Sequence, residues 1–163
     1  MIGMSCTHFS SRPMGEWIDR VAGSFRHWEI FSEADHIIVG KEAEIRDMIS
    51  SRGMTCSVHA PICDLNVGAL TDRLMEASVE VLRDTIRSAS EIDAVTVTIH
   101  PGLSSMSVND TEARASERAR RSMKVLEKAG EEYGVTLAIE NMPSFPFFLG
   151  RTASSLADIV DGT

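Results

Sequence analysis

Five times along 163 residues, a short run rich in β-branched side chains gives way to a longer segment of helical spacing. That alternation constrains the fold more than any other feature, because strands joined by helical crossovers lie parallel in one sheet. The strands read as Ile2–Thr7, His27–Glu33 (HWEIFSE), Thr55–His59 (TCSVH), Ala94–His100 (AVTVTIH) and Val135–Glu140 (VTLAIE). The first two helices read as Glu16–Ala22, behind Pro13, and Lys41–Arg52, with Gly53 placed to end it. Thr71–Ile92 follows, then a long helix opened by Asp110 or Thr111 and stopped by Gly134, then one capped by Thr152 and running through Val160. In Thr71–Ile92 the residues Met75, Val79, Leu82, Ile86 and Ala89 form a single apolar stripe, suited to one sheet face.

Two architectures satisfy this pattern, a doubly wound sandwich and a (β/α)8 barrel. The strand faces separate them. Val95, Val97 and Ile99 share one face of their strand, and Thr96, Thr98 and His100 share the other. Thr55, Ser57 and His59 stand opposite Cys56 and Val58; Gly3, Ser5 and Thr7 stand opposite Ile2, Met4 and Cys6; Thr136, Ala138 and Glu140 stand opposite Val135, Leu137 and Ile139. A sheet covered by helices on both faces is apolar on both. Here one face is small or polar throughout, so an α/β fold of TIM-barrel type is expected, with the first five β/α units present in one domain over residues 1–163. The apolar share of 43% is enough for a core, and no run approaches the roughly 18 apolar residues of a membrane helix.

Three residues occupy equivalent places. His59, His100 and Glu140 each close a strand, in phase with its polar face. In a barrel such positions converge on the mouth where active sites lie. Two imidazoles and a carboxylate suit Zn²⁺ and also accept Mn²⁺ or Fe²⁺; the alternative is that each histidine is a hydrogen-bonded loop anchor. The loop HAPICDLN adds Asp64 and Asn66 as candidate substrate contacts, with Asp64 equally suited to capping a turn. ENMPSFPF adds Asn141 beside Glu140, then Phe145 and Phe147, with Phe148 next, which either wall a pocket or plug the mouth. Glu29 and Glu33 lie on the inner face of their strand by phase. Glu29 is the candidate second catalytic carboxylate, or else a paired structural one. Cys6, Cys56 and Cys63 show no zinc-ribbon spacing, and together with the lack of a secretory leader pattern they point to a reduced, cytoplasmic protein.

The motifs VHAPICDLN, VTIHPG and LAIENMPSFPFFLGRT, in that order, resemble the xylose-isomerase-like TIM-barrel superfamily. It holds sugar-phosphate isomerases and epimerases and the endonuclease IV group of apurinic-site nucleases. The resemblance implies that Glu140 matches a carboxylate ligand shared by both branches, and that His59 and His100 match zinc-binding histidines of the nuclease branch. It also implies eight strands and further Asp, His and Glu ligands on the last three, which have no counterpart here. The chain is therefore expected to be a fragment, weak in metal affinity and without turnover alone, exposing apolar surface and open edges through which copies associate. Ile2, Met4, Val135, Leu137 and Ile139 should stay covered by helices, while Phe31, Phe145, Phe147 and Phe148 lose partners.

The implied function is a divalent-metal-dependent isomerase or epimerase of a sugar or sugar phosphate, working by enediolate chemistry. Its cofactor would be Zn²⁺ or Mn²⁺ and its substrate a small carbohydrate-like molecule. The alternatives are a zinc-dependent apurinic-site endonuclease and a non-catalytic barrel fragment. Sixteen Lys and Arg against 24 Asp and Glu leave a net charge of −8, which opposes nucleic-acid binding. The one basic run, Arg114, Arg118, Arg120, Arg121 and Lys124, is interleaved with Glu112, Glu117 and Glu127 and reads as a solvated helix face.

Overall fold

A computed structural model describes residues 2–160. Five parallel strands, β1 (Met4–Ser5), β2 (His27–Phe31), β3 (Thr55–His59), β4 (Thr96–Ile99) and β5 (Thr136–Ile139), form one sheet. They lie side by side in chain order. A doubly wound sheet reverses direction partway across, whereas a barrel adds each strand next to the last. The chain order of the strands is thus the barrel order.

Helices α1 (Ile18–Ala22), α2 (Glu42–Ser50), α3 (Asp72–Glu91), α4 (Glu112–Tyr133) and α5 (Ala153–Val160) fill the crossovers. Their buried stripes meet one face of the sheet. Trp28, Ile30, Cys56, Val58, Val97 and Ile99 point to that face and are almost wholly buried, against Ile45 and Ile49 of α2, Leu82, Ile86 and Ala89 of α3, and Ala119 and Leu126 of α4. The other face carries Ser5, Glu29, Ser57 and, one layer up, Phe31, His59, Thr98 and Ala138 in lateral register. This face is small or polar apart from Phe31, as the alternation predicts.

Several boundaries differ from the sequence reading, each for a local reason. The first strand is two residues long, because a 3₁₀ turn begins at Thr7, and Ile2 is 81% exposed rather than covered by a helix. Val135 is buried as expected, and Met4, Leu137 and Ile139 are partly so. The second strand stops at Phe31: the last ladder bond runs from the Ser32 N–H to the His59 carbonyl at 2.9 Å, and the Glu33 N–H then turns back to the Phe31 carbonyl at 2.8 Å. Thr111 stands at the start of α4 without capping it. Its hydroxyl instead accepts from the Ser105 N–H at 3.0 Å and donates to the Val108 carbonyl, tying down the preceding loop. Thr152 does cap α5, accepting the Ser155 N–H at 3.1 Å while the Ser155 hydroxyl oxygen accepts the Thr152 N–H at 3.0 Å. Gly134 ends α4 at φ +69°, a left-handed conformation that costs glycine little.

Candidate metal centre and its loops

Parallel strands deliver all their C-terminal ends to one edge of the sheet, so residues that close neighbouring strands come together whatever their sequence separation. His59 is the last residue of β3; His100 and Glu140 each follow directly on β4 and β5. Their side chains meet. His59 Nε2 lies 3.2 Å and His100 Nε2 2.8 Å from the same oxygen, Glu140 Oε2. One donor atom from each of the three falls within 4.8 Å of the others, and among the described residues this is the one cluster of three such groups. The two rings stand edge to face at 5.1 Å.

The second nitrogen of His59 fixes its chemistry. Nδ1 lies 2.9 Å from the Ala60 carbonyl, which only accepts, so Nδ1 carries the proton and Nε2 offers a lone pair. That lone pair faces a carboxylate oxygen. Two electron-rich atoms 3.2 Å apart are at rest only with a cation between them, a proton or a metal ion. His100 has a lowered proton affinity: burial, then its neighbour His59, pushes the imidazole below its ordinary value, against the opposing pull of Glu140. A neutral imidazole is the form that binds a metal. The donor set therefore fits a borderline-soft divalent ion such as Zn²⁺.

Glu29 lies lower on the inner face, in register with Ser5 and Ser57. It accepts hydrogen bonds from the hydroxyls of Ser5 at 2.5 Å and Thr98 at 3.3 Å, so strands β1 and β4 both grip it. Asp64 is exposed at φ +62°, and Asn141 is exposed beside Glu140. Asn66 is tied to the backbone of two loops. Its Oδ1 accepts from the Gly68 and Leu103 amides, both at 2.9 Å, and its Nδ2 donates to the Leu103 carbonyl at 3.1 Å. It thereby staples the loop after β3 to the loop after β4. Gly102 of the HPG motif, at φ +101°, is required there: a Cβ would stand 2.9 Å from Asn66 Oδ1 and from the Gly68 nitrogen.

Phe31 and the loop phenylalanines keep partners that the strand pattern did not foresee. Phe31 stacks on the His59 ring at 4.2 Å with 11° between planes, and Phe145, Phe147 and Phe148 pack on one another at 4.9–6.0 Å. Arg151 clamps their loop, donating to the Phe145 and Pro146 carbonyls and pairing both oxygens of Glu112 at 2.8 and 3.0 Å. Beside His100 a cleft of about 210 Å³ opens between these loops, with Ile62, Leu65, Leu103 and Phe148 among its mostly apolar walls. Glu33 is the residue whose role strand phase misassigned. Its Oε1 accepts the Ile62 N–H at 2.5 Å and the Cys63 N–H at 2.8 Å. The signal available in sequence was its position just past an aromatic strand end, facing a proline loop.

An all-parallel sheet in chain order, with the helices on one face, is the arrangement of part of an α/β barrel, and the histidine–carboxylate cluster lies at its C-terminal edge. The chain matches the xylose isomerase-like TIM barrel family over residues 19–163 and belongs to it. It is 30% identical to an uncharacterized protein of Methanocaldococcus jannaschii, MJ1311, over 97% of its own length and 55% of that relative's. A crystal structure of a D-tagatose 3-epimerase-like protein superposes with a TM-score of 0.89 at 28% identity, covering 97% of this chain and 59% of that one. A D-psicose 3-epimerase crystallised in the presence of D-fructose shares the fold, with a TM-score of 0.80 at 18% identity over 98% of this chain and 58% of that one. The chain thus spans little more than half the length of these relatives. Among the described residues no helix is long and apolar enough to cross a membrane.

Proposed function

We propose that this chain carries the β3–β5 part of a divalent-metal site that isomerises or epimerises a sugar or related hydroxy-carbonyl compound. The convergence of His59, His100 and Glu140 on one point is the observation that carries this reading. Zn²⁺ or Mn²⁺ held there would supply Lewis acidity to a carbonyl and its neighbouring hydroxyl, making the C–H on the hydroxyl-bearing carbon acidic. His59 and His100 would each offer Nε2 to the ion, and Glu140 would contribute charge. Glu29, which accepts from the hydroxyls of Ser5 and Thr98, is the proposed proton-moving carboxylate. Asp64 and Asn141, both exposed at the loop tips, are the proposed substrate contacts, whereas Asn66 acts through the loops it joins. The epimerases among the structural neighbours support a carbohydrate substrate.

The histidine pair also favours a second reading, zinc-dependent cleavage at apurinic sites, which the charge of −8 opposes. Saturation-transfer NMR of a ketohexose against the chain, with and without Zn²⁺ or Mn²⁺, tests the two. Transfer that appears only with metal, and disappears in Glu140→Gln, supports the sugar reading. Metal-dependent, salt-sensitive binding of an abasic duplex with no ketose contact would replace it with the nuclease.

A further inference from the structure

Three consecutive residues at the exit of β2 each grip the end of β3. Phe31 stacks face to face on the His59 ring, Ser32 donates its N–H to the His59 carbonyl, and Glu33 takes the Ile62 and Cys63 amides on one carboxylate oxygen. The first two contacts act on His59 itself. The third acts on the loop that leaves it, and that loop begins with Ala60, whose carbonyl receives the His59 Nδ1 proton. Ala60 is further held by its N–H on the Thr98 carbonyl at 2.9 Å.

We propose that Glu33 is a positioning residue for His59: by anchoring the Ile62 and Cys63 amides it keeps the Ala60 carbonyl on Nδ1, so that Nε2 is the nitrogen left aimed at Glu140. The inference rests on the metal reading above and deepens it. A metal-binding imidazole needs its other nitrogen occupied by an acceptor, which sets both the tautomer and the ring's direction. Here the acceptor is a backbone carbonyl at the start of a loop. Pro61 follows it, fixed in φ and without an N–H, so the first loop amides available to an anchor are those of Ile62 and Cys63. Glu33 takes both. A carboxylate accepting two amides from the loop ties it to β2, the strand whose Phe31 forms the opposite wall of the histidine's slot. The same carboxylate is the leading cause that holds the exposed Cys63 thiol above its ordinary proton affinity, with burial second.

The test uses the chain with Co²⁺ as the probe, read by its visible absorption, alongside imidazole ¹⁵N shifts of the metal-free chain. Glu33→Gln keeps the Oε1 acceptor, whereas Glu33→Ala removes it. The expected result is a Co²⁺ affinity about tenfold or more weaker in Glu33→Ala, with the His59 signal shifted toward a mixture of tautomers. Glu33→Gln should restore both, at unchanged far-UV circular dichroism. Wild-type affinity and a wild-type His59 tautomer in Glu33→Ala, while His59→Ala abolishes binding, would overturn the positioning role. Binding unaffected by His59→Ala and Glu140→Gln would instead overturn the metal reading, and the tautomer measurement, made without metal, would still judge Glu33. If Glu33→Ala fails to fold, Glu33→Asp supplies the comparison, its shorter carboxylate falling short of the two amides.

Discussion

Asn66 makes three side-chain hydrogen bonds to backbone, which use both acceptor positions of Oδ1 and one of the two Nδ2 hydrogens. Replacing it by Ala strands two amides of Gly68 and Leu103 in a partly buried junction, at about 1–3 kcal/mol for each group left unpaired. Urea denaturation should show a loss of roughly 2–6 kcal/mol for the two amides together, with Asn66→Asp recovering the acceptor half. His36 offers a second test. It is buried edge-on against Trp28, and its Nε2 has no hydrogen-bond partner. Burial is the main cause that lowers its proton affinity below the ordinary 6.5, with a backbone hydrogen bond at Arg12 pulling the other way. The unfolded chain therefore takes up this proton near 6.5 while the folded chain resists until lower pH. The stability is complete above 6.5 and falls as the pH drops through that value toward the folded one. His36→Phe should flatten the dependence of the urea midpoint on pH between neutral and about pH 5; an unchanged slope would show that other groups carry it.

At the scale of elements, what was legible in the sequence is what depends on period alone. The α3 stripe of Leu82, Ile86 and Ala89 is buried as spaced, because a helix of 20 residues keeps phase over its whole length. Ile86→Ala should accordingly cost about 2–5 kcal/mol in chemical denaturation. The strand ends depended on tertiary contacts that no local pattern encodes. Phase placed Glu33 inside a continuing β2, but after the last ladder bond, Ser32 to the His59 carbonyl, the Glu33 N–H folds back on the Phe31 carbonyl and the chain turns. Likewise HPG and ENMP mark loops by composition, while the staple through Asn66 joins residues 37 apart. The phenylalanine loop rests on such a contact too. Removing the Arg151 clamp by Arg151→Ala should speed amide exchange at Met142 and Phe148, which are bonded to Gly150 and Phe145 within the loop. The protection of β3 and β4 should stay unchanged, as expected of a local opening.

For the molecule as a whole, the metal candidates were readable because a parallel sheet sends strand ends to one edge, so three residues separated by 41 and 40 positions could be paired by phase alone. Their tautomers and second contacts were not, since these depend on which neighbour each strand exit meets. Among the described residues β1 and β5 each pair on one side only, and Ile2 and the 55%-exposed Phe145 are apolar groups in solvent. Unpaired edges with apolar neighbours template association. Light scattering after size exclusion should find mass rising with concentration; a monomer at all concentrations would show the edges to be protected.

The central claim is that His59, His100 and Glu140 hold one divalent ion, and X-ray absorption at the zinc edge of the Zn²⁺-loaded chain tests it most directly. The expected spectrum has about two imidazole nitrogens at roughly 2.0–2.1 Å and carboxylate oxygen at roughly 2.0–2.2 Å, with no sulfur shell. A sulfur shell near 2.3 Å, or zinc retained equally by the His59→Ala and Glu140→Gln chains, would contradict it.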